Sequence, residues 1–171
     1  MKVEVVSYNP KWELLYNQEA NILSNILGSE LVAIHHIGST SVPNLAAKPI
    51  IDIMPIVKNI DKIDKLNPSF ENVGYECMGE FGITGRRYYR KGGNQRTHQV
   101  HIFEEKDTFN IERHLAVRDY LRSYPKIAIE YEKLKRELAL RFPTDIEAYC
   151  DGKESFIKSL ESQSLKWYRK F

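Results

Sequence analysis

The stretch HHIGSTSVPNLAAKPIIDIMPIV, residues 35–57, decides the fold. An apolar run ends in Gly38-Ser39-Thr40, a Pro- and Ala-containing bridge follows, and a second apolar run carries one carboxylate, Asp52. The flanking segments Leu31 to Ile37 and Pro49 to Val57 read as strands. Both are almost wholly apolar, as expected when a sheet is covered on both faces. A small-residue turn at a strand end can present backbone N–H groups to a phosphate. An acid on the next strand can hold a divalent cation against that phosphate. The stretch therefore points to a nucleotide site.

Outward from it, Val3 to Tyr8 is a β-rich run closed by Asn9-Pro10, and Lys11 to Leu27 predicts a helix with Gly28 at its C-cap. Asp61 to Leu66 predicts a short helix stopped by Asn67-Pro68. Val73 to Met78, Arg86 to Lys91 and Thr97 to Glu104 read as antiparallel strands, with Gly92-Gly93-Asn94 turning between the last two. Three helices follow. One spans about Ile111 to Ser123 with Asn110 or Thr108 as cap, Pro125 opens a second to about Phe142, and Pro143-Thr144-Asp145 caps a third. Strands first and helices last predict one α+β domain over residues 1–171, with a mixed sheet flanked by helices and a helical C-terminal third.

The bulk numbers exclude several classes. At 171 residues, 42% hydrophobic and 28% charged, the chain has the composition of an ordinary globular domain. A net charge of +2 and the lack of any DNA- or RNA-binding motif argue against a nucleic-acid partner. Cys77 and Cys150 stand far apart, which excludes a cysteine zinc site. No apolar run approaches the ~20 residues of a membrane span. The N-terminus also lacks a signal-peptide core, so the expected compartment is the cytoplasm.

On a strand, side chains at i and i+2 share a face. Nucleotidyltransferases of the polymerase-β type place two acids so, after a Gly-Ser turn, and hold two metals with them. Asp52 follows Ser39 at the fitting distance, but position 54 is Met. Half of the clamp is present. The chain resembles the GrpB family in Asn9-Pro10-Lys11-Trp12, in His36 to Pro43, in Leu45 to Asp52, and in Gly74-Tyr75 and His101. It does so again in Arg118 to Arg122, in Tyr131 to Lys135, and in Tyr149 with Lys153. The resemblance covers nearly the whole chain and implies a nucleotidyltransferase-like fold with a nucleotide-handling pocket. It supplies no reaction. A similar domain fused to dephospho-coenzyme A kinase in some bacteria hints at nucleotide or cofactor metabolism.

The expected ligand is a nucleotide or another phosphorylated small molecule. Gly38, Ser39 and Thr40 would hold phosphate, with Lys48, Arg86, Arg87 and Arg122 neutralising its charge. Asp52 and His101 are the catalytic candidates, and His36, Asp52 and His101 a mixed O/N metal set suited to Mg or Mn, or to Zn. Gln99 should share a face with His101, and His98 should point the other way. Each reading has a plainer rival. Asp52 can pair internally with Lys48 or an arginine, His36 can merely orient the turn, and the hairpin arginines can guard a sheet edge. At the level of the whole chain, metal-dependent nucleotidyl transfer competes with a non-catalytic binding or regulatory domain. A metal-dependent enzyme of another reaction type is a third possibility.

Overall fold

The structure, a computed structural model, describes residues 2–170. Helix α1, Lys11–Leu27, leads into strand β1, Leu31–Ile37. A 3₁₀ turn at Ser39–Ser41 and an irregular bridge then deliver β2, Ile51–Val57. A 3₁₀ segment, Ile60–Leu66, runs into α2, Asn67–Asn72. Next come β3, Tyr75–Cys77, β4, Arg87–Lys91, and β5, His98–Glu104. Helices α3, Thr108–Ser123, α4, Pro125–Arg141, and α5, Ile146–Tyr168, finish the chain.

The strands form one mixed sheet in the order β1-β2-β5-β4-β3, in which only β2 and β5 run parallel. Alternation assigns each face. Ile51, Ile53 and Val57 of β2 join Val100 and Ile102 of β5 under Trp12, Leu23 and Leu27 of α1. Met54 and Ile56, with Ile37 and Phe103, pack against Ile111 and Leu115 of α3 on the other face. Burial on both sides explains why β2 is an apolar run rather than an alternating one. The bridge between β1 and β2 leaves the sheet. Its Val42 and Leu45 pack on Leu121, Ala128, Tyr131 and Leu160 of the three last helices. The turn after β1 is thereby held between the sheet and the helical layer.

Helix α1 and strand β1 match the sequence reading, and Gly28 (φ 54°) caps α1 by donating to the Ser24 carbonyl. Four expectations need correction. Val3 to Tyr8 is not a sheet strand: Val6 and Ala47 form a lone bridge, because this segment packs on the β1–β2 connection. The short helix ends at Leu66 before Asn67-Pro68 as expected, but the chain does not leave helical geometry there: Pro68 sits in the first turn of a further helix, α2, where its missing N–H costs nothing. The strand expected from Val73 shortens to begin at Tyr75, since Gly74 (φ 97°) breaks the extended run. Helix α3 starts at Thr108 and is capped by Asp107, whose carboxylate accepts from the Asn110 N–H at 3.3 Å. Asp145 caps α5 as expected. Cys77 and Cys150 are free thiols. Among the described residues no helix is long and apolar enough to cross a membrane.

Candidate functional site

A cleft of ≈ 220 Å³ opens between the Gly38 turn, the first residues of β2 and the inner faces of α4 and α5. Gly38, Ser39 and Thr40 line it from the turn, Lys48 and Asp52 from the bridge and β2, and Lys135 and Lys153 from α4 and α5.

The turn is over-determined. Its own bonds use the N–H groups of Ser41 and Val42, which donate to the Gly38 and Ser39 carbonyls at 3.1 Å. The N–H groups of Ser39 and Thr40 stand at the head of the turn, where a helical segment has no partner for them. Arg122 donates twice to the Ser41 carbonyl, at 3.0 and 2.8 Å. The Thr40 hydroxyl donates to the Ile50 carbonyl at 3.3 Å and lies 2.9 Å from His36 Nε2. Gly38 has φ 74° and ψ −175°, a conformation nearly exclusive to glycine. A Cβ there would lie 2.7 Å from Asp52 Oδ2. The carboxylate therefore packs directly on the turn, and only glycine leaves room for it.

Asp52 sits opposite Ile37 of β1 and Gln99 of β5. Its Oδ1 is 3.1 Å from His101 Nε2. With the Gln99 amide oriented to pair donors with acceptors, that side chain donates to the same Oδ1 at 3.0 Å and accepts from Arg96 at 3.3 Å. His101 Nδ1 lies 3.4 Å from Arg86 Nη1. A guanidinium has no acceptor, so Nδ1 must accept and the ring proton resides on Nε2, donated to Asp52. His101 thus aims the carboxylate and offers it no free lone pair. The strand-parity expectation holds: Gln99 and His101 face Asp52, whereas His98 lies 3.8 Å from Glu19 on the opposite face.

Several predicted residues lie elsewhere. Arg87 pairs with Asp64 at 2.7 Å and Asp61 at 3.6 Å on the α1 side of the sheet. Arg86 is buried and donates to the Glu80 and Phe81 carbonyls, so it anchors a loop and His101 rather than facing the cleft. Arg122 stands behind the turn. His36 stacks on Tyr16 at 4.7 Å, on the face away from Asp52, and burial pushes its pKa down to about 4. His36, Asp52 and His101 are therefore not gathered round one point. Among the described residues no group of three or more His, Cys, Asp or Glu side chains is placed to hold a metal ion. Met54, where a second acid would stand, is fully buried. These donors do not fit a two-metal centre.

Sequence patterns alone assign no role to the helical side of the cleft. Lys135 is 2% exposed, and burial together with Lys153 pushes its pKa down to about 7. One of its protons goes to the Ala46 carbonyl at 2.6 Å. Lys153 is pushed down to about 8 by burial and by Lys48. Each ammonium lies over the ring of a tyrosine one helical turn earlier, Lys135 over Tyr131 at 4.4 Å and Lys153 over Tyr149 at 4.6 Å. Lys48 also reaches the Tyr149 ring, at 5.3 Å. The repeated Tyr-x-x-x-Lys spacing on two helices was the available signal.

The GrpB protein family matches residues 2–163. The UPF0157 protein YqkA of Bacillus subtilis is 48% identical over 166 residues, 97% of this chain and 48% of that protein. The chain thus spans about half the length of this relative. A dephospho-CoA kinase of Mycolicibacterium paratuberculosis is 24% identical over 191 residues, 96% of this chain and 46% of that protein. The crystal structure of conserved protein GrpB from Enterococcus faecalis superposes with a TM-score of 0.94 at 51% identity, covering 96% of this chain and 99% of that one. The Cid1 poly(U) polymerase bound to MgATP has a TM-score of 0.54 at 13% identity, over 80% of this chain and 45% of that one. The chain belongs to the GrpB family, and its fold is nucleotidyltransferase-like.

Proposed function

We propose that this GrpB-family chain binds a nucleotide or another phosphorylated small molecule in the cleft beside Gly38. The observation that carries the reading is the convergence of Lys48, Lys135 and Lys153 on a glycine turn, against a single carboxylate, Asp52. Three cations crowded into a small, largely buried space repel one another, and a bound polyanion relieves that repulsion. The N–H groups of Ser39 and Thr40 and the Ser39 hydroxyl supply directional hydrogen bonds to phosphate oxygens.

Of the two forms this function can take, binding without two-metal transfer fits these donors better, because Met54 removes the second acid. Transfer remains a separate, testable reading, motivated by Asp52 lying directly on the turn. Calorimetric titration with ATP, GTP, CTP and UTP, each with Mg²⁺ or Mn²⁺, tests the binding reading. Heat that disappears in Lys153→Met supports it. No heat with any nucleotide, in a folded protein, overturns it. Release of pyrophosphate that Asp52→Asn abolishes would establish the transfer reading instead.

A further inference from the structure

Resting on the phosphate-binding reading, we propose that the cleft recognises its polyphosphate ligand without a divalent cation, Lys48, Lys135 and Lys153 supplying the positive charge that metals supply in two-carboxylate sites. Asp52 is already engaged by its neighbours. Oδ1 already accepts from His101 and Gln99, and Oδ2 is pressed against Gly38. Among the described residues no second carboxylate or free imidazole joins it in a metal-holding group. A divalent ion bridging Asp52 to a phosphate would find one crowded protein ligand, whereas Mg²⁺ and Mn²⁺ favour several oxygens in octahedral array.

The lysines of the cleft are arranged the other way. Three ammonium groups line the same cleft, and two of them are held against tyrosine rings that fix their direction. One residue lining the cleft also carries an orphan donor. Tyr149 is fully buried with Lys48 and Lys153 against its ring, and its hydroxyl has no hydrogen-bond partner among the described residues. Buried hydroxyls are normally satisfied, so a group that lines a cleft and lacks a partner points to an oxygen brought in by a ligand. A phosphate oxygen provides one. Asp52 then acts as a repulsive element: it disfavours ligands whose charge is not fully met by the lysines and so sharpens selection for polyphosphate.

The sign of one substitution separates this arrangement from a metal-bridged one. If lysines alone hold the anion, Asp52→Asn removes a repelling charge and keeps an acceptor oxygen for His101. Binding of tripolyphosphate or ATP in EDTA should then tighten, by about fivefold for one partly screened charge. If a metal bridges, the same variant weakens binding. The experiment is calorimetry of the whole chain with tripolyphosphate and with ATP, in EDTA and in excess Mg²⁺. Expected are binding in EDTA, equal or weaker binding in Mg²⁺, tightening by Asp52→Asn, and weakening by Tyr149→Phe with circular dichroism unchanged. Binding that appears only with Mg²⁺, or weakening by Asp52→Asn, overturns the metal-free site and leaves the phosphate reading intact. Absence of binding in both buffers overturns the phosphate reading, and the metal-free site with it.

Discussion

Two carboxylates sit on opposite sides of the same sheet, and their surroundings differ in a way that separates scaffold from site. Glu19, on α1, accepts from the Tyr75 hydroxyl at 2.8 Å and from Lys91 at 2.6 Å, with His98 nearby at 3.8 Å. Its pKa is lowered despite burial, because these partners outweigh the loss of solvent. Asp52 takes His101 from the same strand that gives His98 to Glu19. Strand parity alone sends the two histidines to opposite faces. The Glu19 cluster balances its charge: one acid faces one lysine, with Tyr75 and Lys91 both donating to Oε1. In the Asp52 cleft three lysines line the walls with Asp52 as the lining acid and Glu132 beside Lys135, and a tyrosine hydroxyl is left over. Excess charge of one sign, held in place by packing, distinguishes a site from a strut.

The hardest way to break the Asp52 side is Gly38→Ala. The added Cβ meets Asp52 Oδ2 at 2.7 Å, and the backbone there is one that only glycine adopts easily. Backbone strain and displacement of the turn together should cost about 3 kcal/mol. Urea denaturation measures that loss, and calorimetry should find ligand binding abolished. A variant with full stability and full binding would show that the turn does not hold the phosphate.

On the Glu19 side the corresponding change is Glu19→Gln. Removing one partner of a buried pair leaves Lys91 without its counter-ion and should cost about 2 kcal/mol, reduced by the partial exposure of that lysine. Ligand affinity should not move. Asp52→Asn should do the reverse, leaving stability within about 0.5 kcal/mol while shifting affinity. If both variants lost stability equally, the contrast between strut and site would fail.

How much of this contrast the sequence carries follows from the range of the interactions. The turn, Asp52, and the opposed faces of His98 and His101 are local or periodic features, and strand parity makes them readable. The fold was legible for the same reason, in the two apolar strands flanking a glycine turn. For Lys135 and Lys153 the sequence offers only a repeated Tyr-x-x-x-Lys spacing and not their place in the site, because they lie on helices more than eighty positions after Asp52 and reach it only through packing of the β1–β2 bridge on those helices. Arg86, Arg87 and Arg122 were over-read. A basic side chain signals an anion but not which one, and here the partners are backbone carbonyls and nearby aspartates.

The finest test of the comparison is the pH dependence of stability without ligand. Lys135 and Lys153 titrate near 7 and 8 in the folded chain, against about 10.4 when unfolded. Lys135 is faced by Lys153, Glu132, Lys48 and Arg136, and Lys153 by Lys48, Cys150 and Asp52. Between the folded and unfolded values the unfolded chain holds protons that the native chain lacks, so stability rises with pH through that window. One such lysine contributes at most about 1.4 kcal/mol per pH unit, and solvent access reduces this to the order of 1 kcal/mol between pH 7 and 9. The Glu19 carboxylate, with its lowered pKa, acts at the other end: its contribution is present above the ordinary carboxylate range and is lost only as acid protonates it. Thermal melts should therefore show a mildly alkaline gain that Lys153→Met reduces, and an acid loss that Glu19→Gln reduces. Tripolyphosphate should invert the first slope, since the anion draws protons onto the lysines and stabilises the charged form most below pH 8. An alkaline slope unchanged by Lys153→Met and by ligand would mean that the lysine wall carries no stored repulsion, leaving Lys135 as a clamp on Ala46 and nothing more.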